Sequence, residues 1–80
     1  MTREQIKQEL TKIFRTTFEE PAVEAREEMT AQDVKGWNSV THIDMVCEVE
    51  DRFGVRFNTS EIAGLGNVGQ LVAIIESRLP

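Results

Sequence analysis

Apolar residues in this chain recur at three- and four-residue steps in separate stretches, and that spacing confines it to a helical fold. They stand at Ile6, Leu10, Ile13, Phe14 and Phe18 in the first stretch. In the second, Ile43, Val46, Val49 or Glu50, and Phe53 recur, which puts Ile43, Val46, Val49 and Phe53 on the buried side. In the last, Val68, Leu71, Val72, Ile75 and Leu79 form the stripe. The one extended triplet, Val55 to Phe57, has no second strand to pair with, and an isolated strand leaves its backbone groups unsatisfied. We therefore expect an all-α fold: a small four-helix bundle of three main helices and one short one.

Local signals place the helix ends. Thr2 and Gln5 fit a capping box that opens the first helix, which runs to about Phe18. The stretch from Glu19 to Gly36 holds Pro21, five glutamates and no sustained period, so it reads as a long loop with room for one helical turn. Asn38 or Ser39 caps the second helix, and Gly54 ends it in a Schellman-type stop with Val55 folding back on the last turn. A cap at Thr59 or Ser60 opens the short helix carrying Ile62 and Leu65, closed by Gly64 and Gly66. Asn67, with Gln70 three residues on, opens the last helix.

Eighty residues, 40% of them hydrophobic, supply one domain, 1–80, with one modest core and no room for a cleft between two lobes. Fourteen acidic residues against nine basic give a net charge of −5, which argues against nucleic-acid phosphates or anionic lipid as the main partner and for basic protein surfaces. Cys47 is the only cysteine and His42 the only histidine, so neither an internal disulfide nor a zinc site is available, and no calcium-loop spacing occurs among the acids. The chain reads as a reduced, cytoplasmic monomer without a secretion signal or a membrane span. Starting at Met and ending just past the last helix, it reads as free-standing.

Ser39 lies where the long loop meets the second helix, in the run Asp33, Val34, Lys35, Gly36, Trp37, Asn38, Ser39, Val40. Its hydroxyl is either a plain helix cap or an exposed group at a helix N-terminus, where free amides and the positive end of the dipole would stabilise an attached phosphate. His42 follows three residues later on the same face, but no third group orients the imidazole and no Gly-x-Ser-x-Gly elbow surrounds Ser39, so a nucleophile–base pair is disfavoured and His42 reads as a surface or partner contact. Trp37 either plugs the edge of the core or packs against a group on Ser39. Asp44, Glu48 and Asp51 share one strip of the second helix with Val40 and Cys47, and the ten residues from His42 to Asp51 carry four acids and no Lys or Arg. That strip is a solvated face or a docking face for a basic partner, and the clustering of one sign favours docking. No cation neighbours Cys47 in sequence, so a catalytic thiolate is disfavoured.

This run, followed by a helix ending Glu48, Val49, Glu50, Asp51, Arg52, Phe53, Gly54, Val55, resembles the acyl carrier protein family over nearly the whole chain. In that family an Asp-Ser-Leu motif opens the second helix and its serine bears 4′-phosphopantetheine; the matching residues here are Asn38, Ser39 and Val40. Trp37, Ser39 and His42 are similar to a pattern found in stand-alone members serving specialised pathways. The resemblance implies a non-enzymatic carrier that holds an acyl or related group as a thioester on an arm at Ser39. It further implies a phosphopantetheinyl transferase and acyl-loading and acyl-processing enzymes with basic patches as partners, and a pocket for cargo among Ile43, Val46, Ile62, Val68 and Leu71 that opens on demand. Two departures, Asn38 for aspartate and Val40 for leucine, remove a charge and a methylene beside the attachment point. An aminoacyl or peptidyl carrier, or an unmodified helical interaction module using its acidic face, are the competing readings.

Overall fold

The computed structural model describes Met1 to Pro80: four α-helices, α1 (Arg3–Thr17), α2 (Ser39–Phe53), α3 (Thr59–Ala63) and α4 (Val68–Arg78), and one 3-10 turn at Ala31–Asp33 inside the long loop. There is no strand, and no helix is long and apolar enough to cross a membrane.

The helix starts follow from side-chain capping. Thr2 Oγ1 accepts from Gln5 N–H at 3.1 Å while Thr2 N–H donates to Gln5 Oε1 at 2.9 Å, the reciprocal pair expected from the sequence. Asn67 Oδ1 likewise accepts from Gln70 N–H. The cap of α3 is neither Thr59 nor Ser60 but Asn58, whose Oδ1 accepts from Glu61 N–H at 2.8 Å and from the Ser60 hydroxyl, while Glu61 Oε1 accepts from Asn58 N–H. Asparagine with glutamate three residues on satisfies two free amides at once, which a threonine cap followed by Ile62 at that offset cannot do.

The helix ends differ from expectation. At α2, Gly54 is left-handed (φ 68°) and its N–H donates to Glu50 O at 2.9 Å, the single bond of an αL stop. Val55 makes no return bond to the helix; instead the Glu50 carboxylate accepts from Phe57 N–H at 2.8 Å and guides the outgoing chain. The Schellman bond is found at α1, where Glu20 N–H donates to Arg15 O across Glu19, a non-glycine residue at φ 55°. Leu65 lies beyond α3 rather than on it.

Eighteen buried residues form one apolar core, with Phe14, Ile6, Leu10, Ile13, Met45, Val49, Val68, Val72 and Ile75 among the most enclosed and no buried polar or charged residue. From α2 the core takes Met45, Val46, Val49 and Phe53. Ile43 is half exposed, so the sequence-based assignment of Ile43 to the buried face is wrong: a helix turns 100° per residue, and Met45 points inward where Ile43 points away. Leu79 is only partly buried, at the C-terminal cap of α4.

The long loop is a built part of the bundle. Ala25 N–H donates to Thr11 Oγ1, Arg15 Nε to Val23 O, and the Glu27 carboxylate pairs with Arg3 and Lys7. Met29 O and Glu27 O accept from Val68 N–H and Gly69 N–H, so the loop supplies the acceptors for the first turn of α4. Ala25, Met29, Val34 and Trp37 bury their side chains in the core.

Candidate functional site

The junction between loop and α2 is built around Gly36. A Cβ placed there would sit 2.0 Å from Phe18 O, so only glycine lets the loop pass against the end of α1. That close approach delivers Trp37 into the core edge, 9% exposed, stacked on Phe18 with ring centroids 5.0 Å apart and tilted against Phe14 at 5.4 Å. Trp37 thus plugs the core. Gly36 O then accepts from the Thr41 hydroxyl at 2.7 Å, which clamps the first turn of α2 to the loop.

Within that turn Asn38 is the cap. Its Oδ1 accepts from Val40 N–H at 2.9 Å and Thr41 N–H at 3.0 Å, and Thr41 Oγ1 accepts in return from Asn38 N–H at 2.8 Å. Thr41 therefore does the work of the glutamate in a capping box, a role that the usual Glu or Gln signature at that offset does not reveal. Ser39 occupies the first helical position, exposed, and its hydroxyl forms no hydrogen bond within the chain. The expectation of several free amides beside it needs correction: Asn38 takes two, and of the first-turn amides from Ser39 to Thr41 only Ser39 N–H has no partner.

His42 is no surface group. It is half-buried, its Nδ1 accepts from Trp37 Nε1–H at 3.0 Å, and its Nε2 lies 2.9 Å from Ile62 O on α3. Both ring nitrogens are engaged away from Ser39, so His42 is not placed to serve Ser39 as a general base. The sequence carried no signal of this, since a loop residue and a helix residue five apart share no periodic face.

Val40, Asp44, Cys47, Glu48 and Asp51 are all exposed along α2. Asp44, Cys47 and Glu48 share a shallow cleft with Thr16 and Thr17 of α1. Asp44, Glu48 and Asp51 have no Lys or Arg within 4.0 Å, whereas Arg52 on the same helix reaches instead to Glu9 of α1 at 2.9 Å. Val40 and Ile43, 69% and 50% exposed, put an apolar strip beside these acids. Of the residues expected around a cargo pocket, Val46, Val68 and Leu71 are closed within the core, Ile62 is half-buried, and Ile43 is outside; none of the surface cavities is lined by any of the five.

No family model matches the chain. It is 29% identical over 79 residues to an acyl carrier protein of an Exiguobacterium species, covering 99% of this chain and all of that one. The fold superposes on the solution structure of a holo acyl carrier protein from Geobacter metallireducens with a TM-score of 0.81 at 28% identity, over 89% of this chain and 82% of the other. Similarity along the full length and a shared helical architecture make the chain similar to acyl carrier proteins in both sequence and fold, and within that fold His42 is turned away from the exposed serine of the α2 turn.

Proposed function

We propose that Ser39 bears 4′-phosphopantetheine transferred from coenzyme A, and that the chain presents cargo held on it to successive enzymes. The observation that carries this reading is the Ser39 hydroxyl: exposed, without a partner, and on the first residue of α2. The surrounding residues fit the group. Ser39 N–H and the positive end of α2 favour a phosphodiester there. Asn38, Thr41 and Gly36 hold the turn rigid from beneath, so the hydroxyl projects without needing to be ordered by its partner enzyme. When bound, the arm supplies a terminal thiol that carries an acyl or related group as a thioester. Tethering raises the local concentration of that group at each partner site while the protein itself stays weakly bound.

The unpaired acids Asp44, Glu48 and Asp51, with Val40 and Cys47 beside them, form the face that meets basic patches on the transferase and on acyl-processing enzymes. Cargo is sheltered behind Ile62 among Val46, Val68 and Leu71, with Ile43 at the rim, through an opening of the bundle. The competing reading, an unmodified interaction module, draws on Asn38, which removes the family's charge beside the serine.

Incubation of the unmodified chain with coenzyme A and a broad-specificity phosphopantetheinyl transferase, followed by intact-mass measurement, tests the proposal. One added arm is expected, and none in Ser39→Ala. A wild-type mass unchanged after treatment with the cognate transferase supports the interaction module.

A further inference from the structure

Helix α3 is five residues long and buries none of them completely; Ile62, its main apolar contact, is only half-buried against the core. Such a segment gains little from apolar burial and depends on its polar tethers. Two reach it from other helices. Arg78 of α4 pairs with Glu61, and His42 of α2 meets Ile62 O. Ile62 O is one of the last carbonyls of α3, a group that the helix itself leaves without a donor, so the imidazole caps the C-terminal end of the helix.

The atoms determine where the imidazole proton sits. Indole Nε1–H is a donor only, so at 3.0 Å His42 Nδ1 must present its lone pair. A backbone carbonyl is an acceptor only, so at 2.9 Å Nε2 must carry the proton. Trp37 is held in turn by its stack on Phe18, and its ring lies 6.0 Å from the imidazole at 18°. A single polarised chain of two hydrogen bonds thus runs from the loop through α2 to α3.

From this we infer that His42 is a positioning residue: a neutral, Nε2-protonated latch, oriented by Trp37, that determines how much of the time α3 stands against α2. Opening of the latch frees Ile62 and uncovers the part of the core that it packs against. Where that exposed surface is used for cargo, the inference rests on the carrier function proposed above; the latch itself does not depend on modification of Ser39.

The test uses the unmodified full-length chain. Two-bond proton–nitrogen NMR spectra of the wild type, labelled at histidine, should show Nδ1 unprotonated and Nε2 protonated; the reverse tautomer overturns the inference whether or not any variant folds. In amide hydrogen exchange, His42→Ala should speed exchange across α3 about five-fold, the effect of losing one neutral hydrogen bond. His42→Gln, which keeps an acceptor and a donor, should return those rates to within about two-fold of wild type. Val72→Ala, a core truncation remote from the latch, should leave α3 exchange unchanged while speeding exchange in α1. Unchanged α3 rates in His42→Ala, or α3 rates that rise equally in Val72→Ala, refute the latch. Failure of the Ser39 loading experiment leaves all these readings as they are, so the two proposals fall separately.

Discussion

Gly36→Ala and Gly54→Ala change the same atoms and should have very different costs. At Gly36 a Cβ would lie 2.0 Å from Phe18 O, 2.9 Å from Phe18 C and 3.1 Å from Phe18 Cα. These are backbone atoms at the end of α1 and cannot swing aside, so the loop must retreat by roughly 1 Å or more, dragging Trp37 off Phe18 and loosening the Thr41 bond to Gly36 O. Forced backbone displacement of this kind costs about 3 kcal/mol. For a domain of this size that lowers Tm by roughly 12 to 24 °C, a large share of a total stability of about 4 to 12 kcal/mol. At Gly54 a Cβ meets nothing within 4 Å, and the penalty is the left-handed backbone alone, about 1 kcal/mol or roughly 4 to 8 °C. Thermal unfolding followed by far-ultraviolet circular dichroism gives both values, and fluorescence of the single Trp37 reports the loop locally. Transferase loading of Ser39 should slow in Gly36→Ala and stay at the wild-type rate in Gly54→Ala. Equal destabilisation by the two substitutions would refute the packing argument for the α2 junction.

Reversing charge at Asp44, Glu48 and Asp51 to Lys should slow partner processing at least about ten-fold at low salt and flatten its salt dependence, with stability nearly unchanged because these acids have no internal partner; rates that stay constant remove the docking face. Asn38→Asp keeps the cap and adds a negative charge at the positive end of α2, so it should stabilise the chain by about 0.3 to 1 kcal/mol and speed loading, while Asn38→Ala should cost about 1 kcal/mol; melting curves and intact-mass time courses read both. The Glu61 carboxyl is held down to about 2, chiefly by its hydrogen bonds with Arg78 and then by Asn58 N–H. A carboxyl lowered in the folded state contributes stability that is complete above its ordinary value near 4.5 and is lost as pH falls toward 2. Carbon NMR of the Glu61 carboxyl should therefore titrate near 2 in the wild type and near the ordinary carboxylate range in Arg78→Gln; an unchanged midpoint in the variant overturns the assignment of cause.

Much of the architecture was legible because helix formation reads nearby residues. The apolar stripes of α1 and α4, the Thr2–Gln5 box, the Asn67–Gln70 cap and the glycine after Phe53 each depend on contacts within a few positions, and each stands in the structure. Where local signals competed, packing chose between them. Thr59 and Ser60 share the cap preference with Asn58, but Asn58 has Glu61 as its partner and is the cap, and the Schellman stop expected at Gly54 occurs instead at Glu19. Ile43 fits a spacing rule for the buried face of α2 but lies to one side of the line that enters the core, where Met45 is buried.

The sequence by itself determined that the chain is helical, that its long middle segment is not, and that a hydroxyl stands at the mouth of the second helix, because periodicity, capping and charge spacing are properties of neighbours along the chain. Tertiary structure decided what Trp37 and His42 do, why Gly36 has no side chain, and that Glu27 and Met29 carbonyls cap a helix about 40 residues later. Those outcomes depend on which surfaces meet when the bundle closes, and segments far apart in sequence acquire that relation only through packing in three dimensions.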